Sequence, residues 1–168
     1  AFDILLRAMA KLPGAYLWLA GDGPLENYLK SLAVELGIAE RVRFLGWRNN
    51  TARFFAAADY YVVPSRHEPL GNVTLEGWMH SKPMVAAASQ GPSWLISEEE
   101  NGLLVPIDDA EAMAAALQRL IDDPELAARL AHNGRATFER GFTEAVAVQR
   151  YLDLFERVLA ERSTAAAS

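Results

Sequence analysis

The sequence predicts an α/β fold, a doubly wound parallel sheet with helices on both faces. Three observations predict it. Short apolar runs alternate with amphipathic segments of helical spacing along most of the 168 residues. The runs, such as Ala15-Tyr16-Leu17-Trp18-Leu19-Ala20, are almost continuous in hydrophobicity rather than alternating, which suits parallel strands buried from both sides. Polar clusters rich in glycine follow the runs, at the strand ends where open sheets of this kind bind ligands.

Taken in order, residues 3–11 place Ile4, Leu5, Ala8 and Met9 at helical spacing, and Pro13-Gly14 stops that helix before a strand over 15–20. No strand precedes this helix, and the opening Ala1-Phe2-Asp3 carries neither an initiator Met nor a signal segment. The expectation is a piece of a longer chain that has lost one strand and the loop behind it. Gly21-Asp22-Gly23-Pro24 turns into a helix reaching about Leu36, with Pro24 as its first residue and Asp22 or Gly23 as cap. Val42 to Leu45 reads as a strand, 49–58 as a helix, 60–63 as a strand, 72–81 as a helix and 84–87 as a strand. A helical turn near 93–96 and a strand over 102–105 follow, and everything beyond Asp108 is helical. The Ala-rich helices near 110–121 and 125–136 read as amphipathic surface helices. One domain over 1–162 is predicted, with 163–168 as a flexible tail.

Composition narrows the chemistry. With no cysteine, thiolate catalysis, Cys-zinc sites and iron-sulfur clusters are excluded, and His67, His80 and His132 are too scattered to suggest a metal cage. At this length roughly 70% of the unfolded surface can be buried, so no structural metal is required. Sixteen Lys and Arg against 22 Asp and Glu give a net charge of −6 and no basic stripe, which argues against nucleic acid as a partner. Any phosphate bound here is bound locally.

The strongest local signal is Glu68-Pro69-Leu70-Gly71-Asn72-Val73-Thr74-Leu75-Glu76, a loop entering a helix with two carboxylates separated by seven residues. Gly71 lets backbone approach a ligand, and a helix starting near Asn72 turns free N–H groups and its positive dipole end to the same spot. A diphosphate fits there. Glu76 lies about 6 Å farther along the axis, on a face shared with Val73, Gly77 and His80. Its oxygens can accept the two hydroxyls of a ribose, as an acidic residue does for dinucleotides in related sheets. Glu68, before the turn, can hydrogen-bond a sugar. Sugar, diphosphate and nucleoside would lie in that order.

This pattern resembles the E-x7-E motif of the family-four retaining glycosyltransferases of the GT-B fold, the glycosyl transferases group 1. The resemblance covers Phe2 to about Tyr151 and is specific as a series. Gly21-Asp22-Gly23-Pro24, Val42 to Gly46, Ala58-Asp59, Pro64-Ser65, Lys82 to Ala86, Gly91-Pro92 and Asn101 to Pro106 match the Rossmann-like, C-terminal donor-binding domain of that family in order and spacing. It implies binding of a nucleoside-diphosphate sugar such as a UDP- or GDP-sugar, with Glu68 as the catalytic residue on the sugar and Glu76 on the ribose. Leu70, Gly71, Asn72, Val73 and Thr74 would lie near sugar and phosphates, Gly21 in the first loop, and Arg43, Phe44 and Gly46 against the base. No metal or resident cofactor is implied. The family's N-terminal domain, which binds an acceptor glycan, lipid or small molecule, and a basic Arg/Lys pair upstream of the first helix are absent from this chain. The resemblance therefore implies a fragment that binds donor weakly and does not turn over alone. Losing one charge-assisted contact costs roughly ten- to a hundred-fold in affinity. A cytoplasmic location is implied because activated sugars are made there, with peripheral attachment at the inner face of the membrane coming through the absent domain.

Other features keep two readings. Arg66 either approaches phosphate or faces solvent in a salt bridge, and His67 either touches donor or is structural. Ser89 and Gly91 either adjoin sugar or phosphate or simply form a turn. Trp47, Trp78 and Trp94 either stack on a base or sugar or belong to the core, and Glu98-Glu99-Glu100 reads as a solvated run. A dinucleotide-binding dehydrogenase is disfavoured, since Glu26 replaces the third glycine of G-x-G-x-x-G and the next strand ends at Gly46 rather than an acid. A sugar-nucleotide epimerase sharing the pocket and a non-catalytic interaction module are the remaining alternatives.

Overall fold

The computed structural model describes residues 1–166, with side-chain burial through Arg162. The elements in chain order are α1 (Phe2–Met9), β1 (Leu17–Ala20), α2 (Glu26–Glu35), β2 (Val42–Gly46), α3 (Thr51–Ala57), β3 (Tyr61–Val63) and α4 (Asn72–Met79). There follow β4 (Met84–Ala87), α5 (Gln90–Leu95), β5 (Leu103–Val105), α6 (Ala110–Asp122), α7 (Pro124–Gly141) and α8 (Glu144–Ala166). Each named strand pair is parallel, as the alternation of strand and helix predicts. The hydrogen-bonded ladder is divided, with β1 beside β2 in one sheet and β3-β4-β5 in another. Side chains join the two, because Leu5, Leu6, Ala8 and Met9 of α1 share one core with Leu17, Leu19 and Val42 on one side and Val85, Leu103 and Val105 on the other. α1 accordingly packs against both α2 and α6.

β4 is buried at all four residues, the pattern of a parallel strand covered on both faces. β1 departs from that expectation. It starts at Leu17 and alternates, with Leu17 and Leu19 buried while Tyr16 and Trp18 are 71% and 46% exposed. Only one face of this strand meets the core, and on the other Trp18 meets the edge of Phe54 from α3. Length and hydrophobicity alone do not distinguish a large apolar residue in the core from one on an open sheet face.

Helix starts follow local chemistry where a capping side chain is present. Asp109 accepts from the Ala112 N–H at 2.8 Å, and Asp123 accepts from the Leu126 N–H at 2.9 Å, with Pro124 opening α7. Pro24 does not play that part for α2. The helix begins two residues later at Glu26, its cap position is Leu25, and Pro24 lies in the preceding turn, where the Glu26 N–H reaches the Gly23 carbonyl at 3.2 Å. The helical turn expected near 93–96 begins earlier, at Gln90, so that the Gly91 backbone enters α5. The tail expected over 163–168 begins inside α8, since its alanines favour helix, and residues 167 and 168 lie outside the described residues.

A second cluster, Val63, Trp78, Met84, Ala86, Leu95 and Ile96, seats α4 between the sheet and α7. Trp78 is fully buried and donates its indole N–H to the Asn101 carbonyl at 2.9 Å, so it belongs to the core and not to a stacking platform. Gly134 of α7 lies where a side chain would strike that indole, and Arg135 donates to the Met79 carbonyl at the end of α4. α4 is thereby fixed at its middle and its carboxyl end, while its first turn remains at the sheet's edge. No helix among the described residues is long and apolar enough to cross a membrane.

Candidate functional site

The loop from Pro64 to Gly71 connects β3 to α4 at the carboxyl end of the strands. Gly71 is the N-cap of α4 with φ +82°, a left-handed backbone that glycine adopts without strain. Its carbonyl accepts from Thr74 N–H at 2.8 Å and Leu75 N–H at 3.2 Å, which starts the helix. The first amides of α4, those of Asn72 and Val73, have no acceptor within the helix and lie at its positive dipole end. Glu68 stands against the same turn. Its Oε1 accepts from the Gly71 N–H at 3.2 Å, and its backbone carbonyl accepts from the Gly91 N–H at 2.6 Å.

That last bond fastens the 64–71 loop to the turn after β4. The fit is tight enough that a Cβ on Gly91 would sit 2.5 Å from Gly71 N, 2.6 Å from Leu70 C and 2.7 Å from the Glu68 carbonyl oxygen. The sequence kept Gly91 open between a turn and a ligand neighbour; the structure makes it the backbone seat of the loop. Ser89 is the N-cap residue of α5, and its hydroxyl is buried without a hydrogen-bond partner, as is the hydroxyl of Thr74 in the first turn of α4. Buried hydroxyls are ordinarily satisfied by protein, water or ligand, so this junction holds two polar atoms with unused capacity.

Glu76 is exposed one turn into α4, and Glu68 is half-buried. Both carboxylates bear on one group, the Tyr61 phenol of β3. Burial pushes its pKa up to about 12, and the negative charges of Glu76 and then Glu68 add to the rise. The two motif acids therefore both lie within electrostatic reach of one buried phenol. Leu70 and Asn72 are exposed beside them and Val73 is half-buried. On the neighbouring sheet, the Gly21 N–H donates to the Gly46 carbonyl at 2.8 Å, joining the loops after β1 and β2. Phe44 is half-buried nearby in β2, with Lys30 Nζ 5.6 Å from its ring centre.

Two candidates, Arg43 and Arg66, are placed differently from their functional reading. Arg43 turns away from the loops, because its guanidinium donates back to the Glu40 and Val42 carbonyls. Arg66 is taken up by two carboxylates. Its Nη1 and Nη2 donate to Asp3 at 3.1 and 2.8 Å, and its Nε donates to Asp108 at 2.5 Å. This arrangement holds the Asp3 carboxyl below the usual carboxylate range and compensates the arginine charge instead of aiming it at a phosphate. The Glu98-Glu99-Glu100 run is partly engaged, since Glu98 accepts from the Leu104 N–H at 2.5 Å and Glu99 from Arg119 at 2.6 Å. His67 is exposed, His80 stacks on Phe55 at 4.3 Å, and Trp47 and Trp94 are each 73% exposed. Sequence reasoning missed Tyr61, whose place beside α4 follows only from the packing of β3 on Gly77.

Comparison with known proteins gives consistent neighbours. A family model described as "Glycosyl transferases group 1" matches residues 1–123. The lipopolysaccharide core biosynthesis glycosyltransferase LpsD of Rhizobium meliloti is 46% identical over 161 residues, which cover 96% of this chain and 47% of that protein. Among solved structures, a sucrose-phosphate synthase from Thermosynechococcus elongatus superposes with a TM-score of 0.85 at 35% identity, over 95% of this chain and 42% of the other. Anabaena HepE in complex with UDP-glucose gives 0.85 at 28% identity, over 92% of this chain and 44% of that one. The chain thus spans about half the length of the proteins it matches.

Proposed function

This chain belongs to the glycosyl transferases group 1, and from that premise we propose that it is the donor-binding part of a retaining glycosyltransferase. The parent would transfer a sugar from a nucleoside-diphosphate sugar to an acceptor hydroxyl. One observation carries the reading: the Gly71–Gly91 contact seats the Glu68 loop against the open first turn of α4, the helix that carries Glu76 one turn on. The likeness to a structure holding UDP-glucose supports it.

In this proposal the diphosphate lies at the amino end of α4, near the Asn72 and Val73 amides. Glu76 accepts the ribose hydroxyls, Glu68 holds the sugar, and the Gly21–Gly46 junction with Phe44 borders the base. As the sugar leaves, negative charge builds on the diphosphate. The α4 dipole and fixed backbone donors stabilise that charge more in the transition state than before it, which is electrostatic catalysis with no demand for a metal. The acceptor, a glycan, lipid or small molecule, is held by the part of the parent outside this chain. That part also supplies basic contacts to the diphosphate, so this chain alone binds donor weakly and does not turn over. The parent works in the cytoplasm, on activated sugars made there.

The test is ligand-observed NMR on the chain with UDP, GDP, ADP and dTDP, free and as sugar conjugates. One nucleotide saturates, and the signal is lost in Glu76→Ala. If no nucleotide binds this chain or a longer protein that contains it, the proposal is wrong.

A further inference from the structure

Arg66 enters the loop between β3 and α4 with only His67 separating it from Glu68. Its guanidinium is held from two sides by elements distant in sequence. Asp3, in the first turn of α1, takes Nη1 and Nη2 in a bidentate pair at 3.1 and 2.8 Å, and Asp108, before α6, takes Nε at 2.5 Å. Paired donors of this kind fix orientation as well as distance. Asp108 has φ +62°, a left-handed backbone uncommon outside glycine and best tolerated by Asp and Asn, and its carboxylate meets Nε from that conformation. At Glu68 the loop is fastened again, by the Gly91 N–H on the Glu68 carbonyl. Glu68 thus carries one anchor on its own carbonyl, two residues after the other at Arg66.

We propose that Arg66 is a positioning residue, which with Asp3 and Asp108 clamps the amino end of the loop so that Glu68 and the Gly71 turn are held in their binding geometry. Its role is not direct phosphate contact. The proposal rests on the donor-site reading for its binding arm alone. The Arg66 and Asp3 side chains are 39% and 27% exposed, and Asp108 is half exposed. Ion pairs so solvated add little to global stability. The clamp's effect is therefore local: it narrows the conformations of one loop.

The experiment has two arms, run on the chain and its Arg66→Lys and Asp108→Asn variants. The first is amide hydrogen exchange, which needs no ligand. A clamp predicts that Gly71 and Gly91 N–H exchange about tenfold faster in both variants, with Val85 and Ala86 of β4 unchanged. Unchanged Gly71 and Gly91 rates overturn the proposal, and so does equal acceleration of the β4 amides, which would mark a merely global contribution. The second arm is affinity for the nucleotide that binds the parent sequence, for which UDP is the first probe. If Arg66 touched phosphate directly, Lys would retain binding, and Asp108→Asn, by removing one of the two carboxylates that compensate the cation, would leave binding unchanged or tighten it. The clamp predicts weakening of about tenfold in both variants, the scale of one charge-assisted contact. Tighter or unchanged binding in Asp108→Asn overturns it. If no nucleotide binds the unaltered chain or a longer one, the donor-site reading fails, and the exchange rates still decide whether Arg66 fixes the loop.

Discussion

Replacing Gly91 with Ala tests the junction that builds the site. The added Cβ would sit 2.5 Å from Gly71 N, against an ordinary contact of 3.4 Å or more, so the backbones must part by 3.4 − 2.5 = 0.9 Å. The neighbouring contacts, Leu70 C at 2.6 Å and the Glu68 carbonyl at 2.7 Å, are also backbone, so no flexible side chain can yield. Overpacking of this kind costs about 1–3 kcal/mol, and the 2.6 Å Gly91–Glu68 bond is stretched by the same displacement, worth about another 1 kcal/mol. The sum, about 2–4 kcal/mol, is read by urea unfolding. Gly14→Ala is the control, since nothing lies within 4 Å of a Cβ there. A displacement near 1 Å at the first turn of α4 also removes nucleotide binding in the NMR titration. If Gly91→Ala matches Gly14→Ala in both stability and binding, the junction is not tight and the account of the site collapses.

Two other substitutions probe what supports α4. Gly134→Ala drives a methyl into the indole of fully buried Trp78 and should cost about 1–3 kcal/mol in urea unfolding; an unchanged midpoint would show that α7 does not fix α4. Tyr61, with its pKa pushed up to about 12 from 10.0, stays neutral in the folded chain beyond the pH at which it ionises unfolded. Its contribution is therefore complete below pH 10 and lost as pH rises toward 12. Two units correspond to at most about 3 kcal/mol. Stability measured across that window should fall more steeply in the unaltered chain than in Tyr61→Phe, and parallel curves would refute the assignment.

What the sequence made legible was local. Glu68, Gly71 and Glu76 sit within nine residues, so loop, cap and helix periodicity place them together without long-range information. The order of strands and helices was equally legible, because each element carries its own spacing. Contacts made across the chain were not. Arg66 meets partners 63 and 42 residues away, and nothing local distinguishes such an arginine from one waiting for phosphate. Gly91 looks like any turn glycine until its neighbour proves to be another loop's backbone. Trp18 read as core because its neighbours are apolar, yet the fold leaves its face of β1 open. Arg43 turns back to the Glu40 and Val42 carbonyls, because a long side chain can fold along its own strand.

The Arg66–Asp3 pair has a consequence beyond its own loop. Asp3 lies in the first turn of α1, and α1 packs against both α2 and α6. The loop that carries Glu68 is thereby tied to the helix whose apolar side chains also meet Leu17, Leu19 and Val42 of β1 and β2. Apolar contact of that kind sets a distance but no direction, whereas the paired donors of a guanidinium set both. The ion pair gives α1 an orientation relative to the Glu68–Glu76 loop that its greasy face alone would leave free.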